Sequence, residues 1–211
     1  MNIKNFIKLF LPETVLFYYR NKPSVLEKAY TDWINAGKPV PPHHIVKQKA
    51  ILEYKEKFNL DTLVETGTFR GDMMYCMKGE FKKLYSIELA EGLYKKAKKR
   101  FKKYPNVNIL FGDSGEVLKS LVPSFQLPVL FWLDGHYSGT VTAKGNVETP
   151  ILMELETIFK SNIDHTILVD DAILFNGTRD YPTMEVLKNY VAKNKPQYKV
   201  KVENDLIRIS K

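Results

Sequence analysis

With one cysteine in 211 residues, Cys76, the chain has no partner for an internal disulfide. A reducing, cytoplasmic setting is therefore expected. Cys76 lies among Met73, Met74, Tyr75 and Met77 and reads as a small buried hydrophobe. Long apolar runs are missing too. The opening stretch MNIKNFIKLFLPETVLFYYR is interrupted by Lys8, Pro12 and Glu13 and carries no small-residue cleavage site. It fails as a signal peptide and falls far short of the ~20 apolar residues that span a bilayer. Repeats and low-complexity tracts are lacking, as is the G-x-G-x-x-G fingerprint of dinucleotide binding.

What is present is an ordinary globular composition, 44% hydrophobic and 27% charged, which gives no indication of disorder. In the opening stretch Ile3, Phe6, Ile7, Phe10 and Leu11 recur at helical spacing with lysines between them. Such a helix packs on its own domain or a second copy, giving a homodimer, or lies peripherally on a membrane surface. The net charge of +8 comes largely from KKAKKRFKK at residues 95–103. There Leu93, Tyr94, Ala97, Phe101 and Tyr104 form an apolar stripe and the lysines a solvated face, so a nucleic-acid partner is disfavoured.

The proline-rich GKPVPPHH at residues 37–44 excludes regular helix. It divides an N-terminal helical arm, 1–44, from the remainder, 45–211; spacing assigns His43 and His44 no role. Beyond it strands and helices alternate. Strands are expected at residues 62–68, 84–88, 107–111, 128–133, 166–169, 198–202 and 206–210. Helices are expected at 45–58, after Gly71, through the lysine run, at 115–125, at 149–159 and from near Pro182. PVLFWL at 128–133 is uninterruptedly apolar, as a strand buried on both faces should be. The last two strands are joined by the short turn Glu203, Asn204 and Asp205, which permits only antiparallel pairing. The fold expected is α/β: a doubly wound seven-stranded sheet, parallel except for an antiparallel C-terminal hairpin.

In such sheets ligands bind beyond the carboxyl ends of the strands, where strand order reverses. The residues there are Glu65 with Gly67, Thr68 and Gly71, then Glu88, then Asp113 with Ser114, then Asp134, then Asp170 with Asp171. A single acid at a strand end is common turn chemistry; five in succession are not. In ETGTFRG, glycines at a strand-to-helix turn let a ligand approach the backbone. Glu65 would repel a pyrophosphate but suits a ligand carrying ammonium and sulfonium groups. Glu88 follows the first glycine by about twenty residues, where an acid accepts hydrogen bonds from ribose hydroxyls; a capping or solvent-facing glutamate is the other reading. Asp113 and Ser114 are placed to meet an adenine amino group, or Asp113 simply caps the helix that follows.

ETGTFRG, SIEL, GDS, FWLDGHYSG and ILVDDA, in this order and spacing, resemble the strand-end motifs of class I S-adenosylmethionine (SAM)-dependent methyltransferases. The resemblance runs from about Thr62 to the C-terminus. It includes the terminal hairpin that separates these enzymes from dinucleotide-binding Rossmann folds, and it departs in the first loop, which lacks the usual third glycine. It implies a Rossmann-like sheet, SAM as donor, and Glu65, Gly67, Thr68, Gly71, Glu88, Asp113, Ser114 and Asp134 as donor-binding residues.

Asp134, His136, Asp170 and Asp171 are similar to the set in macrocin-type metal-dependent sugar O-methyltransferases. DGHYSG…TAKG…TPI also resembles methyltransferases of bacterial surface-polysaccharide clusters. This implies Mg²⁺ on Asp134, Asp170 and Asp171, catalysis by Asp134 and His136, with His136 as base, and a sugar or other small polar acceptor. Neighbouring fourth and fifth strands would bring Asp134 beside Asp170, and hard oxygen ligands suit Mg²⁺, Mn²⁺ or Ca²⁺. Adjacent strand residues face opposite ways, so Asp171 joins only if the backbone turns at once after Asp170; otherwise one of the pair caps a loop. Tyr137, Ser138, Thr140, Thr142 and Lys144 would form a polar loop selecting the acceptor. The alternatives are a nicotinamide oxidoreductase, a nucleic-acid methyltransferase, for which no Asn-Pro-Pro-type motif is present, and a non-catalytic SAM- or nucleotide-binding module.

Overall fold

The computed structural model describes residues 21–135 and 149–211. His136 and the polar loop residues Tyr137, Ser138, Thr140, Thr142 and Lys144 lie outside these, as does the apolar stretch at residues 1–20. The chain divides into two units, Met1–Lys47 and Gln48–Lys211. In the first, helix α1 (Pro23–Asn35) opens with proline at its first position, where no N–H is needed. Trp33 is buried with Ile45 and Val46 against Leu26 and Tyr30, and its indole N–H donates to the Pro39 carbonyl at 2.9 Å. Helix α2 (His44–Phe58) runs through the division.

The second unit is the sheet expected from the sequence. Its strands are β1 (Thr62–Thr66), β2 (Lys83–Glu88), β3 (Val107–Phe111), β4 (Leu130–Leu133), β5 (Thr166–Val169), β6 (Lys199–Glu203) and β7 (Leu206–Ser210). They lie in the order β3-β2-β1-β4-β5-β7-β6. The first five are parallel; β7 pairs antiparallel with both β5 and β6. The order reverses between β1 and β4, which fixes the crevice at their carboxyl ends.

Alternation along the strands loads both faces. Leu63, Leu84, Leu130, Trp132, Leu168 and Leu206 face α2, α3 (Asp72–Met77) and α4 (Glu91–Phe101), meeting Ile51, Tyr54, Met74, Met77, Ala97 and Phe101. Val64, Ile87, Phe131, Leu133, Ile167, Val169 and Ile207 face α5 (Ser114–Leu121), α6 (Ile151–Phe159) and α7 (Met184–Asn194), meeting Leu118, Leu155, Ile158, Leu187 and Val191. Leu130, Phe131 and Trp132 are fully buried, each worth about 1.5–3 kcal/mol in removed apolar surface.

Several boundaries shift from the sequence expectation, each for a local reason. β1 ends at Thr66 rather than Thr68, because Gly67 turns to φ +83° and both Gly67 and Thr68 donate to the Ile87 carbonyl. The helix expected at 115–125 ends at Leu121 and continues as a 3₁₀ turn, Val122–Ser124, where Pro123 lacks a donor. The last helix begins at Met184, capped by the Thr183 hydroxyl, which accepts from Val186 N–H. Cys76 is half-buried, and its sulfur accepts from Gln48 Nε2 at 3.3 Å; burial pushes its thiol up to about 11, in keeping with an inert packing residue. Among the described residues no helix is long and apolar enough to cross a membrane.

Candidate active site

The crevice is built by close approach of two backbones. Gly67, at the tip of β1, has its open side against Asp134 at the tip of β4: a Cβ there would lie 2.5 Å from the Asp134 carbonyl oxygen. Asp134 N–H in turn donates to the Thr66 carbonyl at 3.1 Å. Gly71, at φ +73°, presses its open side on the Phe101 ring. Both glycines are thus required by packing at the turn.

Around this tip stand the acids expected for the donor. Glu65 is 2% exposed and accepts from the Ser86 hydroxyl, which lies 2.6 Å from Thr68 Oγ1. Glu88 is braced by two backbone donors, Phe69 N–H on Oε2 and Ala90 N–H on Oε1, each at 2.8 Å. It does not face solvent, and a carboxylate with two of its roughly four acceptor positions filled retains capacity for vicinal hydroxyls. Asp113 realises the capping reading: its side chain accepts from Glu116 N–H at 3.3 Å. Ser114 does something the sequence did not suggest. Its hydroxyl donates to Glu154 Oε1 at 2.6 Å.

Glu154 was missed, although a signal was present. Ile151, Leu155 and Ile158 make an apolar stripe on α6, and Glu154 stands inside that stripe. It is 1% exposed. A cleft opens between it and β4–β5, lined by Leu133, Asp134, Gly135, Thr149, Ile151, Val169, Asp170, Phe175 and Tyr181. Tyr181 was also missed. Its ring meets Phe175 edge-on at 5.3 Å, and burial, with Asp171 and Asp134 nearby, raises its phenol well above the ordinary value.

On the far side of the cleft Asp134, Asp170 and Asp171 come together, each offering an oxygen within 4.8 Å of the others'. The turn this requires is present. Asp171 adopts the left-handed conformation, φ 51° and ψ 56°, and its N–H donates to Asp170 Oδ1 at 2.9 Å. Oxygens around one hard cation, at about 2.0–2.6 Å from it, stand roughly 3–5 Å apart, so the spacing fits.

Two of these acids are held toward their neutral form. Burial, with Asp134 and Glu88 nearby, drives Glu65 well above its ordinary 4.5 despite the Ser86 hydrogen bond. Burial pushes Glu154 up to about 7, although the Ser114 and Thr66 hydroxyls pull the other way. Between pH 4.5 and 7 the folded chain therefore keeps protons on these acids that the unfolded chain has released, and their contribution to stability falls as pH rises through that window. The thermal midpoint of the ligand-free protein is expected to decline from pH 6.5 to pH 8, at most about 1.4 kcal/mol per unit for each group. Glu154→Gln should flatten that decline and raise the midpoint at pH 8; a midpoint independent of pH in the parent would contradict this. His165, buried beside the sheet, acts in the opposite sense below pH 6.5, where the unfolded chain takes up a proton that the folded one refuses. Burial brings it down to about 4, and its Nδ1 accepts from Val129 N–H at 3.2 Å.

No family model matches the sequence, and neither does any curated protein at a significant level. Solved structures do resemble the fold. An O-methyltransferase from Bacillus cereus, in complex with SAH, superposes with a TM-score of 0.59 at 13% identity, covering 93% of this chain and 97% of that one. SAH-bound PaMTH1 from Podospora anserina gives 0.55 at 16% identity over 95% and 97%. TomG from Streptomyces achromogenes, an O-methyltransferase of tomaymycin synthesis in complex with SAM, gives 0.54 at 16% identity over 93% and 94%. The chain has the Rossmann-like methyltransferase fold, a seven-stranded α/β sheet parallel except at its C-terminal strands.

Proposed function

We propose that this protein is a SAM-dependent O-methyltransferase. It would transfer a methyl group to a hydroxyl of a sugar or other small polar acceptor, assisted by a divalent cation such as Mg²⁺ at Asp134, Asp170 and Asp171. The observation that carries the reading is the convergence of acids from β1, β2, β4 and β5, of which Glu65, Glu88 and Asp170 are buried and Asp134 half-buried, on the crevice where strand order reverses. Structural neighbours in complex with SAM or SAH, superposing over nearly the whole of both chains, support it. The cleft lining contains Asp134, Glu154 and Asp170 and, among the described residues, no Lys or Arg. That speaks against a polyanionic nucleic-acid substrate and for a cationic donor.

Methyl transfer needs the acceptor oxygen in line with the sulfonium–methyl bond at about 3 Å, so positioning supplies much of the rate. Glu65, Gly67, Thr68, Gly71, Glu88, Asp113 and Ser114 frame the donor's place. A divalent ion, when bound, lowers the pKa of the acceptor hydroxyl and orients it. His136, two residues beyond Asp134, is the base that removes the hydroxyl proton. A sugar acceptor made in the cytoplasm for surface polysaccharide fits this chemistry, and the N-terminal arm supplies contact with a second copy or a membrane surface.

Calorimetric titration with SAM and SAH, with and without Mg²⁺, tests the core of the reading. Micromolar uptake of both compounds is expected; uptake of neither would sink it. Radiolabelled methyl transfer to candidate sugar acceptors, lost in EDTA and restored by Mg²⁺, then tests the acceptor and the metal.

A further inference from the structure

We propose that Glu154 is the counter-ion of the donor's sulfonium, an inference that rests on the donor reading above and adds to it a residue and a charge. Four observations lead there. Glu154 is an almost fully buried acid lining the cleft, and burying a carboxylate without a cation is costly. Its hydrogen-bond partner is a neutral hydroxyl, Ser114 Oγ at 2.6 Å, and no ion pair joins it to any of the described residues. It stands outside the group Asp134, Asp170 and Asp171 that could hold a metal, so a divalent cation there does not account for it.

Its position supplies the last observation. Glu154 is tied to Ser114 at the end of β3. Its Oε1 comes within 3.3 Å of the point where Gly135, just beyond β4, would carry a Cβ, and Thr66 Oγ1 at the end of β1 is 3.1 Å from the same point. The carboxylate thus lies between the strand ends assigned to the adenosine half of the donor and the acids assigned to the acceptor half. The sulfonium joins the donor's adenosyl and methionine parts and must present its methyl toward the acceptor, so its charge falls between those halves. Glu65 does not compete for this role. Alternation along β1 turns it to the opposite sheet face, beside Ser86 and Thr68.

SAH is SAM without the methyl and without the positive charge, so the pair isolates the interaction. Glu154→Gln keeps an acceptor for Ser114 and removes only the charge. By calorimetry at pH 8, the variant is expected to bind SAM about tenfold or more weakly while SAH affinity changes less than about twofold, since close charge pairs of this kind couple by that much or more. Glu154→Asp, which keeps the charge on a shorter arm, should recover part of the SAM preference. Equal loss for both compounds, or no change for either, overturns this inference and leaves the donor reading standing. A parent protein that binds neither compound overturns the donor reading and this inference together. The SAH affinity of each variant, together with its circular dichroism, reports whether the fold is intact.

Discussion

In an Asp170→Asn protein, methyl transfer is expected to fall by about 10³-fold or more while SAH affinity changes less than about threefold. Asp170 is buried, 5% exposed, and its Oδ1 already accepts from Asp171 N–H. Asparagine can keep that bond through its carbonyl and so preserve the turn, but it removes one of three charges from the group shared with Asp134 and Asp171. A hard cation holds its site by carboxylate count and charge. Losing one ligand weakens both cation binding and the activation of an otherwise poor nucleophile, and a thousandfold loss is about 4 kcal/mol of barrier. In the proposed reading the donor is framed by the ends of β1, β2 and β3 together with Asp134, none of which the substitution replaces. Paired measurements of turnover against Mg²⁺ concentration and of SAH affinity check the split. Turnover within tenfold of the parent with an unchanged dependence on Mg²⁺ concentration would remove Asp170 from the cation site.

That split was legible in the sequence only in part, and the reason lies in what a linear pattern carries. The apolar run through Leu130, Phe131, Trp132 and Leu133 declares a strand buried on both faces, because alternate residues feed two different cores. The turn Glu203–Asn204–Asp205 declares an antiparallel hairpin. From these the sheet follows, and with it the row of strand-end acids. The left-handed turn at Asp171 could be stated only as a condition, since an aspartate after a strand carries no signature of its φ. Glu154 was hidden for another reason. An acid within the apolar stripe of α6 looks like an ordinary interruption until the fold shows that this part of the stripe faces a cleft and Ser114 rather than hydrocarbon. At Gly67 the sequence suggests a backbone that a ligand can approach, and the fold adds a packing requirement that no sequence pattern carries, because the nearest neighbour on its open side is the Asp134 backbone.

Gly67→Ala is accordingly expected to cost about 2–6 kcal/mol of stability and to abolish donor binding with it. A non-glycine residue at φ +83° is strained by roughly 1–3 kcal/mol. Its Cβ would also stand 2.5 Å from the Asp134 carbonyl oxygen and 3.0 Å from the carbonyl carbon. Backbone atoms at the end of a paired strand cannot rotate away, so β1 and β4 must separate at their tips, an overpacking cost of about 1–3 kcal/mol. The separation would break the Asp134 N–H bond to the Thr66 carbonyl and move the acid on which both halves of the site depend. Gly71→Ala is the control. Its φ is also positive, +73°, but its contact at 2.6 Å is the rim of the Phe101 side chain, which can tilt. Urea denaturation of the two variants, with SAH titration alongside, should therefore show the larger loss at Gly67. A Gly67→Ala protein within 1 kcal/mol of the parent would mean that the strand tips are not held as close as the crevice requires.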